Sequence, residues 1–436
     1  MKKNIFCAST LVCMLMLLIP SAQGNADQST YMKLQINECK KFGNNSLGNP
    51  IRFEDSGHVE DWNKLLKPVG NLKAIIVPID TPDNLHTSKI SDLELFASNL
   101  SSEFSRLSFG KLNLTVDVLD SWITLPNSGI DYETKIDWWV KINDAISSSD
   151  DLVDFSKYDL ALFKHDEKSS SVTSAGALPM WEKNLPDGLK VLRGAYIGRD
   201  HWVSIGLGVS EMIHEILHVF GLPDLYMLNP NGTVPVGIFD VMSTFNKAYK
   251  PFVLNWHAWK LGWLEDSDVL CASPQVAQLF MIERSDEKSF IVIPEGANRV
   301  NVIEVWKQNL SSIPKVLFYS VDSKAYVWTS RLPAGKVSPI QMLRPMKRPI
   351  APKLMGDLNL DAAFNPGDET TIGTVRIKYV QYLNNSAVIT YTPTGQTEIK
   401  VPRSALQKKC TNSTNMKIKI VDSLKNCPKG YKAKIR

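Results

Sequence analysis

"SEMIHEILHVFGLPDLY" (210–226) carries two of the chain's seven histidines, four residues apart, in a stretch that is otherwise largely apolar. Residues at i and i+4 share a helix face about one turn apart, so His214 and His218 predict a helix that aims two imidazoles at one point. Glu215 follows one position on, about 100° round the same helix. Gly221 can take the left-handed conformation that ends a helix, and Pro223 cannot continue one. The chain is therefore expected to turn back and bring Asp224 toward the histidines.

Two imidazoles and a carboxylate from such a turn suit one zinc ion, with Zn–N bonds of about 2.0–2.1 Å and a fourth position left open for water. The open position separates a catalytic from a structural zinc. Glu215, too far round the helix to be an equal ligand, is placed to take a proton from that water. Asp240 is the second candidate for third ligand. The plain alternative is a core helix whose histidines are merely hydrogen-bonded.

The rest of the chain sets the frame. With 436 residues, 44% of them hydrophobic and 22% charged, it has the composition of a globular protein of two or three domains, which excludes a disordered chain. Lys2 and Lys3, the apolar run from Ile5 to Ile19 and the small-residue stretch "SAQGNA" (21–26) predict a signal peptide over 1–25, and hence a secreted or cell-surface protein. That run is short for a membrane span, and no later stretch approaches eighteen apolar residues, so no transmembrane segment is expected.

Cys39, Cys271, Cys410 and Cys427 remain beyond that segment. Four cysteines in an exported chain allow three pairings, of which Cys39–Cys271 and Cys410–Cys427 are the favoured set. No CxxC pair supports a cysteine zinc site. Cys39 has a second reading, a thiolate covering the metal of a latent enzyme. Residues 401–436 hold ten Lys or Arg against Asp422 alone. This basic tail suits an anionic cell surface, with no specific nucleic-acid partner implied, or is simply a solvated ending.

Periodicity predicts a buried strand at 73–80, an amphipathic helix over 91–110 stopped by Gly110, an antiparallel strand within 111–125, and strands at 158–163 and 194–198, with a Ser-rich loop at 169–174. After residue 275 short β-branched runs separated by turn residues predict an all-β module of about six strands. The expected class is α+β. The expected divisions are 26–70 as an N-terminal extension or pro-segment, 71–272 as the domain bearing the histidines, 273–400 as the β-rich module, and 401–436 as the tail.

"HEILHVFGLPDLY" (214–226) resembles the HExxHxxGxPDxY signature of the immune inhibitor A family of secreted zinc metallopeptidases, in the metzincin clan. "VGIFDVMS" (236–243) is similar to the methionine-containing turn that lies beneath the metal in that clan, with Met242 in that place. "NWHAWKLGWL" (255–264), "LSFGKLNL" (107–114) and "DFSKYDLALF" (154–163) match in type and order, and "VLFYSVDS" (316–323) matches more weakly. The resemblance implies a metzincin-like zincin domain with a cleft below a sheet edge, a single catalytic zinc, and a protein or peptide substrate. The family's calcium-binding stretch after the equivalent of Tyr158–Asp159 is absent, so calcium is not supported. The tyrosine that some metzincins carry two residues after the methionine is replaced by Thr244. Tyr226, Tyr249 and His257 are the candidates for that oxyanion or substrate-binding role. A zincin-fold surface-binding protein without catalysis is the alternative.

Overall fold

The computed structural model describes residues 31–43, 55–60, 62, 65–136, 138–166, 175–185, 188–198, 208–226, 234–244, 246, 249–283, 290–306, 313–325, 338–347, 359–383, 385–401, 407–412, 418–422 and 431–433. The expected signal peptide, the Ser-rich loop at 169–174 and Cys427 lie outside them. The fold is mixed α and β, with few helices and several sheets, as the α+β expectation has it.

A four-residue helix, α1 (Ile36–Cys39), is followed by β1 (Gly70–Asp80), α2 (Ile90–Leu107), β2 (Leu112–Val118) and the short β3 (Ile123–Thr124). Then come α3 (Gly129–Thr134), α4 (Trp138–Ser149), β4 (Leu160–His165), β5 (Ala175–Leu185), β6 (Gly188–Ile197) and α5 (Gly208–Val219). The sheet order is β2-β1-β4-β6-β5, with β3 extending β1 beyond β2. Every pairing is parallel except β5 with β6, so β5 is an antiparallel edge.

The antiparallel strand expected within 111–125 is instead parallel. Helix α2 crosses over between β1 and β2, and a crossover returns the chain in its starting direction. The continuous apolar run of β1 reflects burial on both faces. Ala74 and Ile76 join the core beneath α2 and α5, while Ile75, Val77 and Ile79 join the core beneath α3 and α4.

Helix α6 (Asn255–Lys260) and β7 (Val269–Cys271) lead into two further sheets. One has the order β12-β11-β10-β9-β7, using β9 (Phe290–Pro294), β10 (Arg299–Trp306), β11 (Lys315–Asp322) and β12 (Ile340–Met342). The other has the order β13-β14-β15-β8, using β8 (Gln278–Glu283), β13 (Glu369–Ile372), β14 (Val375–Leu383) and β15 (Ser386–Pro393). A small sheet of β16 (Gln407–Asn412), β17 (Ile418–Asp422) and β18 (Tyr431–Ala433) lies in the basic tail.

Strand β10 shows how these layers join. Ile303 and Val305 point into the core between the two sheets, while Val300, Val302 and Trp306 point the other way, into the core that holds α5. Glu304, on the second face, accepts a hydrogen bond from the Asn255 backbone N–H at 2.9 Å and so caps α6. The expected division at 272/273 is thus not a break in packing, because one core crosses it.

The segment expected as an N-terminal extension or pro-segment packs against the same body. Leu34 N–H donates to the Cys271 carbonyl at 2.9 Å and Ser273 N–H to that of Met32 at 2.9 Å. Cys39 and Cys271 form a disulfide, with a sulfur separation of 2.11 Å, as the favoured pairing anticipates; this sets aside a thiolate role for Cys39. Among the described residues no helix is long and apolar enough to cross a membrane.

Candidate metal centre

Helix α5 is buried along nearly its whole length, and its end is built to reverse the chain. Gly221 N–H donates to the His218 carbonyl at 2.9 Å and Leu222 N–H to the Leu217 carbonyl at 3.0 Å, the paired closing bonds of a Schellman cap. Gly221 has φ +93°, a backbone conformation that residues with a Cβ rarely adopt, so the reversal calls for glycine. The chain then runs back past Pro223 and delivers Asp224 to the face of α5 that carries the histidines.

There the residues expected to converge do so. One Asp224 carboxylate oxygen lies 3.1 Å from His214 Nε2 and 3.1 Å from His218 Nε2. The other accepts a hydrogen bond from the Tyr226 hydroxyl at 3.1 Å. Each histidine has its opposite ring nitrogen tied to a backbone carbonyl, His214 Nδ1 to Val241 at 3.0 Å and His218 Nδ1 to Leu222 at 2.7 Å. A carbonyl can only accept, so both Nδ1 atoms carry protons and both Nε2 atoms are directed at the common point.

This donor set fits a divalent ion such as zinc. Ligand atoms around a tetrahedral ion with bonds of about 2.0–2.1 Å lie about 3.3 Å apart, near the 3.1 Å spacings here, and all three groups lie within 4.8 Å of one another. Charge favours it too. Burial opposes an imidazolium at His214, but the Asp224 hydrogen bond and the Glu215 and Asp224 charges outweigh burial and hold its pKa up, at about 9. Burial alone would raise Asp224; the two imidazoles hold it well below the usual carboxylate range. The proton shared between these groups is what a bound cation would replace.

Glu215 is buried beside them. Its pKa is raised, chiefly by desolvation, which the neighbouring imidazoles partly offset. Among the described residues no group is hydrogen-bonded to its carboxylate, which leaves it able to hold a water or a substrate amine.

Met242 lies in a turn beneath this assembly. The Met242 carbonyl accepts from Leu225 N–H at 2.8 Å, and the Met242 N–H donates to Asp240 Oδ1 at 2.9 Å. Asp240, the second candidate ligand, is turned away from the imidazoles: its other oxygen accepts from Leu254 N–H at 3.1 Å and from His257 Nδ1 at 2.9 Å. His257 is not an oxyanion group either, since it is fully buried and its second nitrogen lies 3.0 Å from Ser56 Oγ. Tyr249 is placed against the β-rich module, its ring 6.0 Å from that of Trp306. Of the three oxyanion candidates, Tyr226 is the one held beside the Asp224 carboxylate. The carbonyls of Val241 and Leu222, which orient the imidazoles, had no side-chain signal by which sequence reasoning could find them.

No protein-family model matches the chain, and no curated protein matches it.

Proposed function

We propose that this chain is an exported zinc-dependent metalloendopeptidase similar to the immune inhibitor A family, with His214, His218 and Asp224 as ligands and Glu215 as general base. The observation that carries this reading is the convergence of three ligand atoms within 4.8 Å, with both imidazoles oriented by backbone carbonyls and the buried Glu215 carboxylate on the next position of the same helix. A metzincin-like domain is supported by the mixed sheet, by its antiparallel edge strand β5 packed on α5, and by the Met242 turn beneath the helix.

Zinc held there would act as a Lewis acid toward water and the scissile carbonyl. The chain's own residues handle the protons and the substrate. Glu215 accepts the proton of the attacking water and returns it to the departing amine, a task suited to a carboxylate whose pKa burial has raised. The Tyr226 hydroxyl, beside Asp224, can swing to donate to the oxyanion as charge develops. Strand β5, paired on one side only among the described residues, offers backbone groups to an extended peptide. The basic tail then serves attachment to an anionic cell surface.

The test is the exported chain, from about residue 27, beside its Glu215→Gln variant. Bound zinc in both, with casein cleaved by the parent and slowed on the order of 1000-fold in the variant, supports the reading. Zinc in both and cleavage by neither would favour a binding protein that keeps the fold. Absence of zinc from both overturns the metal centre.

A further inference from the structure

The trio Ser56, His257 and Asp240 has the hydrogen-bond order of a hydrolase triad, yet all three are wholly buried, so no substrate reaches them. Their role has to be sought in what they join. At one end is the N-terminal strap. Ser56 lies in 55–60, where Gly43 N–H donates to the His58 carbonyl at 3.1 Å and His58 N–H to the Lys41 carbonyl at 2.8 Å. The strap clasps α6 from outside: the Ser56 carbonyl accepts from Trp256 Nε1 at 2.6 Å, the Asp55 carbonyl accepts from Lys260 Nζ, and the His58 ring packs edge-on against Trp256 and Trp259.

At the other end is the turn under the candidate metal centre. Asp240 receives three donors: His257 Nδ1–H, Leu254 N–H and Met242 N–H. A carboxylate can only accept, so His257 carries its proton on Nδ1 and its Nε2 accepts from the Ser56 hydroxyl. The turn so fixed holds Val241, whose carbonyl takes His214 Nδ1–H at 3.0 Å.

We propose that Ser56, His257 and Asp240 form a positioning relay through which the N-terminal strap sets the orientation of His214 at the metal centre. The proposal rests on the metal reading above. It makes the strap a permanent part of the active enzyme, in contrast to a pro-segment discarded on activation. Ser56 is a positioning residue: it touches neither metal nor substrate.

The experiment compares the exported chain with Ser56→Ala and with Trp263→Phe. Trp263→Phe removes a contact to the chain beyond the strap, from Trp263 Nε1 to the Pro68 carbonyl at 2.8 Å, and leaves the relay intact. Zinc affinity is measured by chelator competition, the visible spectrum after cobalt substitution, and amide hydrogen exchange on the metal-free protein. Ser56→Ala is expected to weaken zinc about three- to tenfold, at or below the low end of what outer-shell partners contribute. It should also shift the cobalt bands and speed exchange at Met242 and Leu254. Trp263→Phe should lower thermal stability with zinc affinity and those two amides unchanged. Equal zinc affinity in parent and Ser56→Ala, with unaltered exchange at both amides, overturns the relay. If the parent itself takes up no zinc, the metal reading fails separately, and the two amides still decide whether strap and turn are coupled.

Discussion

Two histidine–aspartate constellations fall within residues 214–257 and are built in opposite ways. In one, His214 and His218 crowd a single Asp224 oxygen, and the carboxylate keeps a side-chain exposure of 22%. In the other, His257 and Asp240 are sealed in the core, each polar atom matched to a partner. The first is arranged for something to arrive, and the second is already complete. Residue type does not separate the two. The geometry around the aspartate does: Asp224 follows a chain reversal and looks outward across α5, whereas Asp240 opens a turn and ties it to the start of α6 through Met242 N–H, Leu254 N–H and His257 Nδ1–H.

The sharpest way to test the contrast is to delete each carboxylate. Asp240→Ala leaves a buried histidine and two backbone N–H groups unpaired, so it should cost about 3–5 kcal/mol in a denaturant melt of the metal-free protein. Asp224→Ala should weaken zinc more than about 100-fold, and its cost in the same melt should fade as the pH is raised past about 9, where His214 no longer carries the proton that Asp224 holds. If both variants behaved alike, the distinction would fail.

The strap is the next point of attack. Cys39 and Cys271 are 232 residues apart in sequence, so replacing both with Ser frees a long loop in the unfolded chain and should remove about 3–4 kcal/mol of stability under non-reducing conditions. A comparable loss of zinc affinity in the same variant would tie the disulfide to the relay as well as to the fold.

A further buried histidine, His165, stands apart from both constellations and offers a control. His165 bonds the Tyr196 hydroxyl, and burial, with help from Lys141 and Lys164, holds its pKa down to about 3. In the unfolded chain it returns to about 6.5. Between those values the unfolded state binds the extra proton, so stability falls as pH drops below 6.5 and is fully recovered above it. From pH 7 to pH 5 the loss from this residue should be about 2 kcal/mol. His165→Asn should flatten that part of the pH profile. The smallest effect is expected from Tyr226→Phe, which removes one donor from Asp224 and should weaken zinc by about threefold to tenfold with little change in stability.

The sequence carried the candidate centre well because its determinants are local. The i, i+4 spacing of His214 and His218, the glycine at the reversal and the aspartate beyond it all lie within eleven residues. The pairing of β2 was misjudged because strand direction depends on the crossover before it, which alternation within the strand cannot reveal. Helix α4 went unread although Ile142, Ala145, Ile146 and Ser149 are buried at helical spacing, since its opening tryptophans and closing serines mask the period. The strap was the least legible part. Residues 55–60 look polar and aperiodic, and only contacts some 200 residues away make Ser56 and His58 interior. Asp240 and His257 stand out by their chemistry, but side-chain type does not tell an organiser from a ligand.

The disulfide has a consequence for the timing of synthesis. At about 5–20 residues per second, Cys271 emerges about 12–46 s after Cys39. For most of that interval the strap has no core to lie on, because α6 and β7 are made only at its end and β9 only after it. A segment made early is therefore among the last placed, and an early thiol must stay reduced, or exchange its way out of wrong pairings, until the far half of the molecule arrives.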